Sequence, residues 1–460
     1  MMKMNFRSLI VLGLGFATMI ACNKEEYPEV SQPLRKVGES VQAGNVSGSV
    51  KGTMMSGETY TLNGLVTVNE GDTLLIQEGA TVYVSAGACL EVKGVFLSIG
   101  SREKPIWITV KDAVKQDNLQ ADINTDPAYK GIWSGIYCRP TCNLCVVKWT
   151  HIEYVGTQYQ ELTGNIGGNP RVIYFNCPDG YLVFEDNWVY GVTNDVIRFE
   201  GGYFNIMRNT IEKCGPVSGD IFNVKGASKG NIAYNLYASC ATTGSKGSNA
   251  GNSGTFQCEL ATFNNTFLNG GWRRVSAGGG GSVNYEEGAK GLIYNNLIVN
   301  CRYGIRMVGA PAADVANTQM GHNFSYGENL EICNEFYPTG HITPVQETDI
   351  PKPSSFLPTD YQPGDVYDGT TLVKQNDPQF ANYPLGNTFD NIKLMSYVGG
   401  FDFRLKSTSP VIGKGTTNFQ PFFTEAGSKF PKGEFGSSEI TLPSIDIGAY
   451  PTNNKGNQHF

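Results

Sequence analysis

The sequence predicts an all-β chain wound as a right-handed parallel β-helix solenoid with long loop insertions. Three observations predict it: short β-rich runs broken by glycine, an asparagine that recurs at coil-length intervals, and a small or apolar residue at a constant distance after each of those asparagines.

The runs Leu65-Val66-Thr67-Val68, Thr73-Leu74-Leu75-Ile76, Ala80-Thr81-Val82-Tyr83-Val84 and Leu90-Glu91-Val92 alternate in and out, each followed by a glycine-containing bend. A period of two is that of a half-buried strand, and helical periodicity is absent. Strands this closely spaced form hairpins or coil into a solenoid. The asparagines favour the solenoid. Asn187, Asn209, Asn235, Asn265 and Asn296 follow one another at 22, 26, 30 and 31 residues, a length that suits one coil, with the variation absorbed by loops inserted at a bend. Asparagine suits the bend itself, because it tolerates a left-handed backbone and bonds neighbouring amides. Five residues after each asparagine stand Val192, Cys214, Cys240, Gly270 and Cys301. These form an inward stack in which cysteine serves as a small hydrophobe. Cys138-x3-Cys142-x2-Cys145 has the spacing of half a metal site, but no histidine pair follows, so a loop disulfide or core packing is expected rather than a metal. His151, His322 and His341 form no constellation.

Composition agrees with a turn-rich β protein: 56 of the 460 residues are glycine. The net charge of −7 argues against nucleic-acid binding, which needs a basic face. No cofactor is indicated; calcium is possible but not indicated.

The N-terminus reads as an export signal. Lys3 and Arg7 precede an apolar stretch, Ser8 to Ala21, that is short for a membrane span. Met19-Ile20-Ala21-Cys22 resembles the lipobox of bacterial lipoproteins, which implies cleavage before Cys22 and lipidation of its thiol. Asn23-Lys24-Glu25-Glu26 resembles the surface-export signal of Bacteroidota lipoproteins. The expected organisation is a signal peptide over 1–21, a lipidated flexible tether over 22–45, the β-helix over 46–450 and a C-terminal tail over 451–460. Within the helix, 310–391 reads mostly as long loops packed on the solenoid.

Further motifs carry a resemblance. Gly71-Asp72-Thr73-Leu74-Leu75-Ile76-Gln77-Glu78-Gly79-Ala80-Thr81-Val82 resembles the entry coil of parallel β-helix lipoproteins of Bacteroidota, in the pectate-lyase-like superfamily. Gly131-Ile132-Trp133-Ser134-Gly135-Ile136 and His151-Ile152-Glu153-Tyr154-Val155-Gly156 resemble their second block. Phe403-Arg404-Leu405, Ser409 to Gly415 and Asp446 to Tyr450 resemble their closing coils. The resemblance implies the fold over roughly residues 46–450. That superfamily includes pectate lyases and polygalacturonases as well as proteins with no known reaction. The clustered Asp pairs and His-Gly run of polygalacturonases, and the Arg-x-Pro-x-x-Arg of one lyase class, are not found in this sequence.

A candidate site follows from alternation along a second strand of each coil. Taking Ile197/Phe199, Phe222/Val224, Phe256/Cys258, Val283/Tyr285 and Ile305/Met307 as inward pairs leaves an outward column of Arg198, Asn223, Gln257, Asn284 and Arg306. Beside it stands a second column of Glu200, Lys225, Glu259, Glu286 and Val308. Amides and carboxylates bind hydroxyls, and Arg binds acidic groups, so such a strip suits a sugar polymer. Glycine- and serine-rich segments, Thr242 to Gly254 and Val275 to Ser282, are expected to wall it, with Trp272 stacking on a ring. In this register Glu259 and Glu286 fall on neighbouring coils, at a spacing compatible with a glycosidase pair; a solvated charge ladder is the plainer reading.

The expectation is therefore an outer-membrane or cell-surface lipoprotein, anchored through lipid, that binds an extracellular polymer, a glycan above all, with an outer-membrane transporter as a possible partner. A polysaccharide lyase or hydrolase on the same face, and a structural or docking subunit of an outer-membrane assembly, stay open as alternatives.

Overall fold

The computed structural model of the chain describes residues 36–112, 115, 123–159, 170–249, 257–274, 280–307, 313–333, 373–383, 385, 399–424 and 440–459. The signal segment, Cys22, most of the tether, His341, Val308 and most of 310–391 lie outside them.

The chain is a parallel β-helix. A typical coil contributes one strand to each of three faces, and successive coils pair in parallel. The first face is a ten-stranded parallel sheet running from Gly52–Met54 to Gln319–Gly321. The other two faces join in a nineteen-stranded sheet. They are joined because the ten-residue strand Thr59–Val68 pairs with Thr81–Val84 through its first half and with Cys89–Val92 through its second. Thus Tyr181–Glu185, Trp188–Val192 and Ile197–Phe199 make one coil, and Gly202–Met207, Thr210–Cys214 and Phe222–Val224 the next. Hairpins play no part in the solenoid; among the described strands, Phe380–Asn382 with Asp402–Leu405 is the antiparallel pair, and it lies outside the coils.

The recurrent asparagines form one buried ladder at the bend between the first and second faces. The Oδ1 of each accepts both the backbone N–H and the Nδ2 of the asparagine one coil earlier: Asn187 on Asn209 (2.9 and 3.0 Å), Asn209 on Asn235 (3.0 and 2.8 Å), Asn235 on Asn265 (3.0 and 3.0 Å) and Asn265 on Asn296 (3.1 and 3.0 Å). Each remaining Nδ2 hydrogen goes to a strand carbonyl, such as that of Ile206 for Asn235. The ladder extends one rung beyond the sequence reading, to Asn323. At its other end Thr150 replaces the asparagine, donating its N–H to Asn187 and sharing a hydroxyl bond with Ser98.

Backbone tolerance of a left-handed conformation, expected to select the asparagines, does not do so. The left-handed residue at each bend is the one before the ladder: Asp186, Arg208, Tyr234, Asn264, Asn295 and His322 all have φ between 49° and 59°. Four different side-chain types accept that strain besides asparagine, so amide stacking, and not backbone tolerance, selects the ladder residue.

Five residues on, Val192, Cys214, Cys240 and Cys301 are buried in one column, and a Cβ on Gly270 would lie 3.0 Å from the Cys240 sulfur. The ten cysteines from Cys89 to Cys333 are all buried and unlinked. Cys138, Cys142 and Cys145 pack in the core with Cys177, rather than in a loop disulfide. Thiol hydrogen bonds from Cys138 and Cys177 lower the Cys142 pKa to about 5, whereas burial raises most of the others. Burial controls access regardless of acidity. In the folded chain these ten thiols are expected to resist iodoacetamide and to label on unfolding, read by intact mass; fast labelling of any of them without unfolding contradicts this packing.

Two boundaries shift. Residues 37–45 are not tether: Val37 exchanges hydrogen bonds with Thr53 (2.8 and 2.7 Å), Val41 packs on the core, and Gly44–Ser49 pairs with the first long strand. At the other end, the motifs read as closing coils do not continue the solenoid. Phe403, Val411, Ile447, Ala449 and Tyr450 pack on the outer side of the second face against Leu268, Leu297, Val299 and Phe324, while Phe419 and Phe422 cover the first. The segment then runs back along the coils, so that Asn457 donates to the Asn209 carbonyl and the His459 ring stacks on Trp188. The described part of the C-terminal tail, residues 451–459, is thus a strap on the solenoid.

Candidate functional site

The third face carries the outward strip, and backbone pairing sets its register. Tyr174 pairs with Arg198, Arg198 with Asn223, Asn223 with Lys246, Lys246 with Asn284 and Asn284 with Arg306. Neighbours in such a column stand about 4.8 Å apart. Arg198, Asn223, Asn284 and Arg306 therefore form one column, and Glu200, Lys225 and Glu286 stand two residues on from Arg198, Asn223 and Asn284 respectively.

Gln257 and Glu259 do not belong to the strip; their places are taken by Lys246 and Ser248. The coil between Asn223 and Asn284 makes its third-face strand from Thr243–Ser248, a segment expected to be a wall loop. Its inward residues are Ser245 and Gly247, so no apolar alternation marks it. The core volume comes from neighbours instead. A Cβ on Gly244 would meet the Phe267 ring at 2.4 Å, and one on Gly247 the Leu260 side chain at 2.7 Å.

Glu259 opens a first-face strand, flanked by Lys229 and Lys290 one coil to either side. It pairs with both, at 2.7 and 3.3 Å. Partial burial raises its pKa, but the two lysines outweigh that and hold the carboxyl below the usual range. Gln257 donates to the Gly288 carbonyl and to Asp314. The Glu259–Glu286 acid pair is thus not formed: the two residues stand on different faces, and Glu286 is bonded instead to Lys246 (2.7 Å) and Asn284 (3.0 Å). Trp272 is tied through its indole N–H to the Asn300 carbonyl (2.7 Å), and the neighbouring Arg273 is spent on the Gly215 and Cys214 carbonyls and the Ser239 hydroxyl.

Two carboxylates that the sequence reading missed border the strip. Asp195 and Asp220 each precede a column residue by three, and they fall on neighbouring coils. That constant offset was the available signal. Asp195 accepts the Asp220 N–H (2.9 Å) and the Asn223 Nδ2 (3.0 Å), with Arg171 at 3.5 Å. Asp220 accepts from the Thr242 hydroxyl (2.6 Å) and lies 3.9 Å from Lys246. Burial, then the Asp220 charge, raises the Asp195 pKa above the usual carboxylate range.

Most charges on the strip are neutralised locally; Arg198, for instance, donates to Glu200 at 2.6 Å. Two neutral amides and one ammonium stand apart from these pairs. Asn223 and Asn284 spend their Nδ2 on Asp195 and Glu286, which fixes their amide orientation, and each is left with a buried Oδ1 that has no hydrogen bond. Lys225 is 7 % exposed, and no acidic group of the described residues lies within ion-pair distance of its ammonium. Burial, then the charges of Lys246 and Arg198, lowers its pKa. Buried polar groups normally find partners, so the two orphaned carbonyls, with the unpaired Lys225 ammonium beside them, point to a missing ligand. No family model, curated protein or solved structure matches this chain.

Proposed function

We propose that the chain is a lipoprotein, anchored through Cys22 at the outer membrane or cell surface, that binds an extracellular glycan along the third face of its β-helix. The orphaned carbonyls of Asn223 and Asn284 carry this reading. They stand two coils apart in one column, about 10 Å from each other at the usual strand spacing. Hydroxyls repeated along a sugar chain would supply the donors both oxygens lack. No helix among the described residues is long and apolar enough to cross a membrane, so the lipid is the anchor proposed.

The test is a glycan array probed with the full chain in detergent, followed by titration of the best ligand. Asn223→Ala with Asn284→Ala should weaken binding roughly tenfold or more, since each lost hydrogen bond is worth about 1 kcal/mol. Silence across the array, or an unchanged affinity in the double variant, defeats the proposal. A lyase or hydrolase on the same face is the second reading, favoured by the pairing of two carboxyls on neighbouring coils, of which Asp195 is raised above the usual carboxylate range by burial and by the Asp220 charge. Release of shortened chains that stops in Asp195→Asn would select it over binding alone.

A further inference from the structure

From the setting of Lys225 we infer that the ligand of the third face carries an anionic group, a carboxylate or a sulfate ester, that docks on this ammonium and makes Lys225 the specificity-determining residue. The inference rests on the glycan reading and adds the charge of the sugar.

Lys225 directly follows the strand Phe222–Val224, with its N–H held by the Phe199 carbonyl at 3.2 Å. The charged groups around it are Arg198, Lys246, Glu286 and Glu287. Each of the other four has a bond of its own. Arg198 is on Glu200, Lys246 on Glu286 at 2.7 Å, Glu286 also on Asn284, and Glu287 on the Ser248 hydroxyl. The neighbouring carboxylates are thus committed elsewhere, and a nine-tenths buried lysine is left among two further cations. A largely buried charge without an ion pair costs folding free energy unless something offsets it. An external anion would do so, and it would sit two residues along the same strand from the Asn223 carbonyl. One ring could then place its charge on Lys225 and a hydroxyl on Asn223 together. A neutral sugar would satisfy the two carbonyls and leave the lysine stranded.

The test compares dextran, alginate and dextran sulfate, titrated against the full chain and against Lys225→Gln, with Lys51→Gln as a control at an exposed lysine. The wild-type chain should prefer one charged polymer over dextran by tenfold or more. Alginate as the tighter ligand identifies a carboxylate, and dextran sulfate a sulfate ester. Lys225→Gln should reduce that preference to within twofold, and Lys51→Gln should leave it intact. Equal binding of all three polymers, or a preference that survives Lys225→Gln, overturns the inference and leaves the glycan reading standing. Failure to bind any glycan overturns both. A measurement without ligand guards against misfolding: Lys225→Met removes an unpartnered charge and should raise the melting temperature by about 1–2 °C. A fall instead would mean that the ammonium has a partner within the chain, which also sinks the inference.

Discussion

Asn235→Ala is expected to lower the unfolding free energy by about 4 kcal/mol, among the largest effects of any single substitution in this chain. The side chain sits mid-ladder with no exposure. Its Oδ1 accepts from the backbone N–H and the Nδ2 of Asn209, and its Nδ2 donates to Asn265 and to the Ile206 carbonyl. Alanine strands two donors of Asn209 and one carbonyl, with water excluded from all three. Each orphan costs about 1–3 kcal/mol, and the lower half of that range already sums to several. The damage does not stay on one rung, because the amides polarise one another along the stack. Urea denaturation followed by circular dichroism gives the number, with Asn453→Ala at an exposed turn as the reference, expected within about 0.5 kcal/mol of wild type. A loss under about 1 kcal/mol for Asn235→Ala would show that the amides merely line the bend.

Acid should weaken the fold through two half-buried imidazoles held in one ring stack. Trp107, His151, Trp188 and His459 form one ring stack, with centroids 3.9, 5.8 and 5.6 Å apart in turn. Burial, helped by the Lys115 charge, lowers the His151 pKa to about 3, and burial lowers that of His459 to about 4. Both values lie below the unfolded reference near 6.5. The unfolded chain therefore binds more protons between these limits, and stability falls as pH drops below about 6.5. It continues to fall until the folded chain itself protonates. At about 1.4 kcal/mol per unit for each group, the two together should cost on the order of 3–5 kcal/mol by pH 4.5 relative to pH 7.5. Asp186 and Asp195 work in the opposite sense, because burial raises their folded pKa values. The contribution of the rings is therefore isolated by comparison with His151→Phe/His459→Phe. That double variant should show a visibly flatter dependence of stability on pH over this window. An unchanged slope would place the acid sensitivity elsewhere.

The parts of the fold legible in the residues are those where one coil repeats the next. The ladder asparagines and the inward column from Val192 to Cys301 each occupy a bend whose geometry recurs, so the same side-chain requirement returns at each interval. Asn323 escaped because its flanking residues, His322 and Phe324, depart from the earlier pattern. Thr243–Ser248 escaped for a different reason. Its inward positions are a serine and a glycine, and the volume they lack is filled by Phe267 and Leu260 from other strands. Alternation can report a strand only where the strand fills its own share of the core. Missing that strand moved Gln257 and Glu259 onto the wrong face and created an acid pair that does not form.

Chain order alone determined the solenoid, its ladder, and four of the five outward column residues on the third face, Arg198, Asn223, Asn284 and Arg306, because these depend on local periodicity and on identical demands at successive coils. Tertiary structure alone decided which charges meet across coils, that the Asn223 and Asn284 carbonyls are left without partners, and that the described residues after Phe401 lie along the outside of the solenoid instead of extending it. The reason is physical. Pairing between coils depends on register, register depends on the length of every intervening loop, and a strap that packs by shape against an existing surface carries no periodicity of its own.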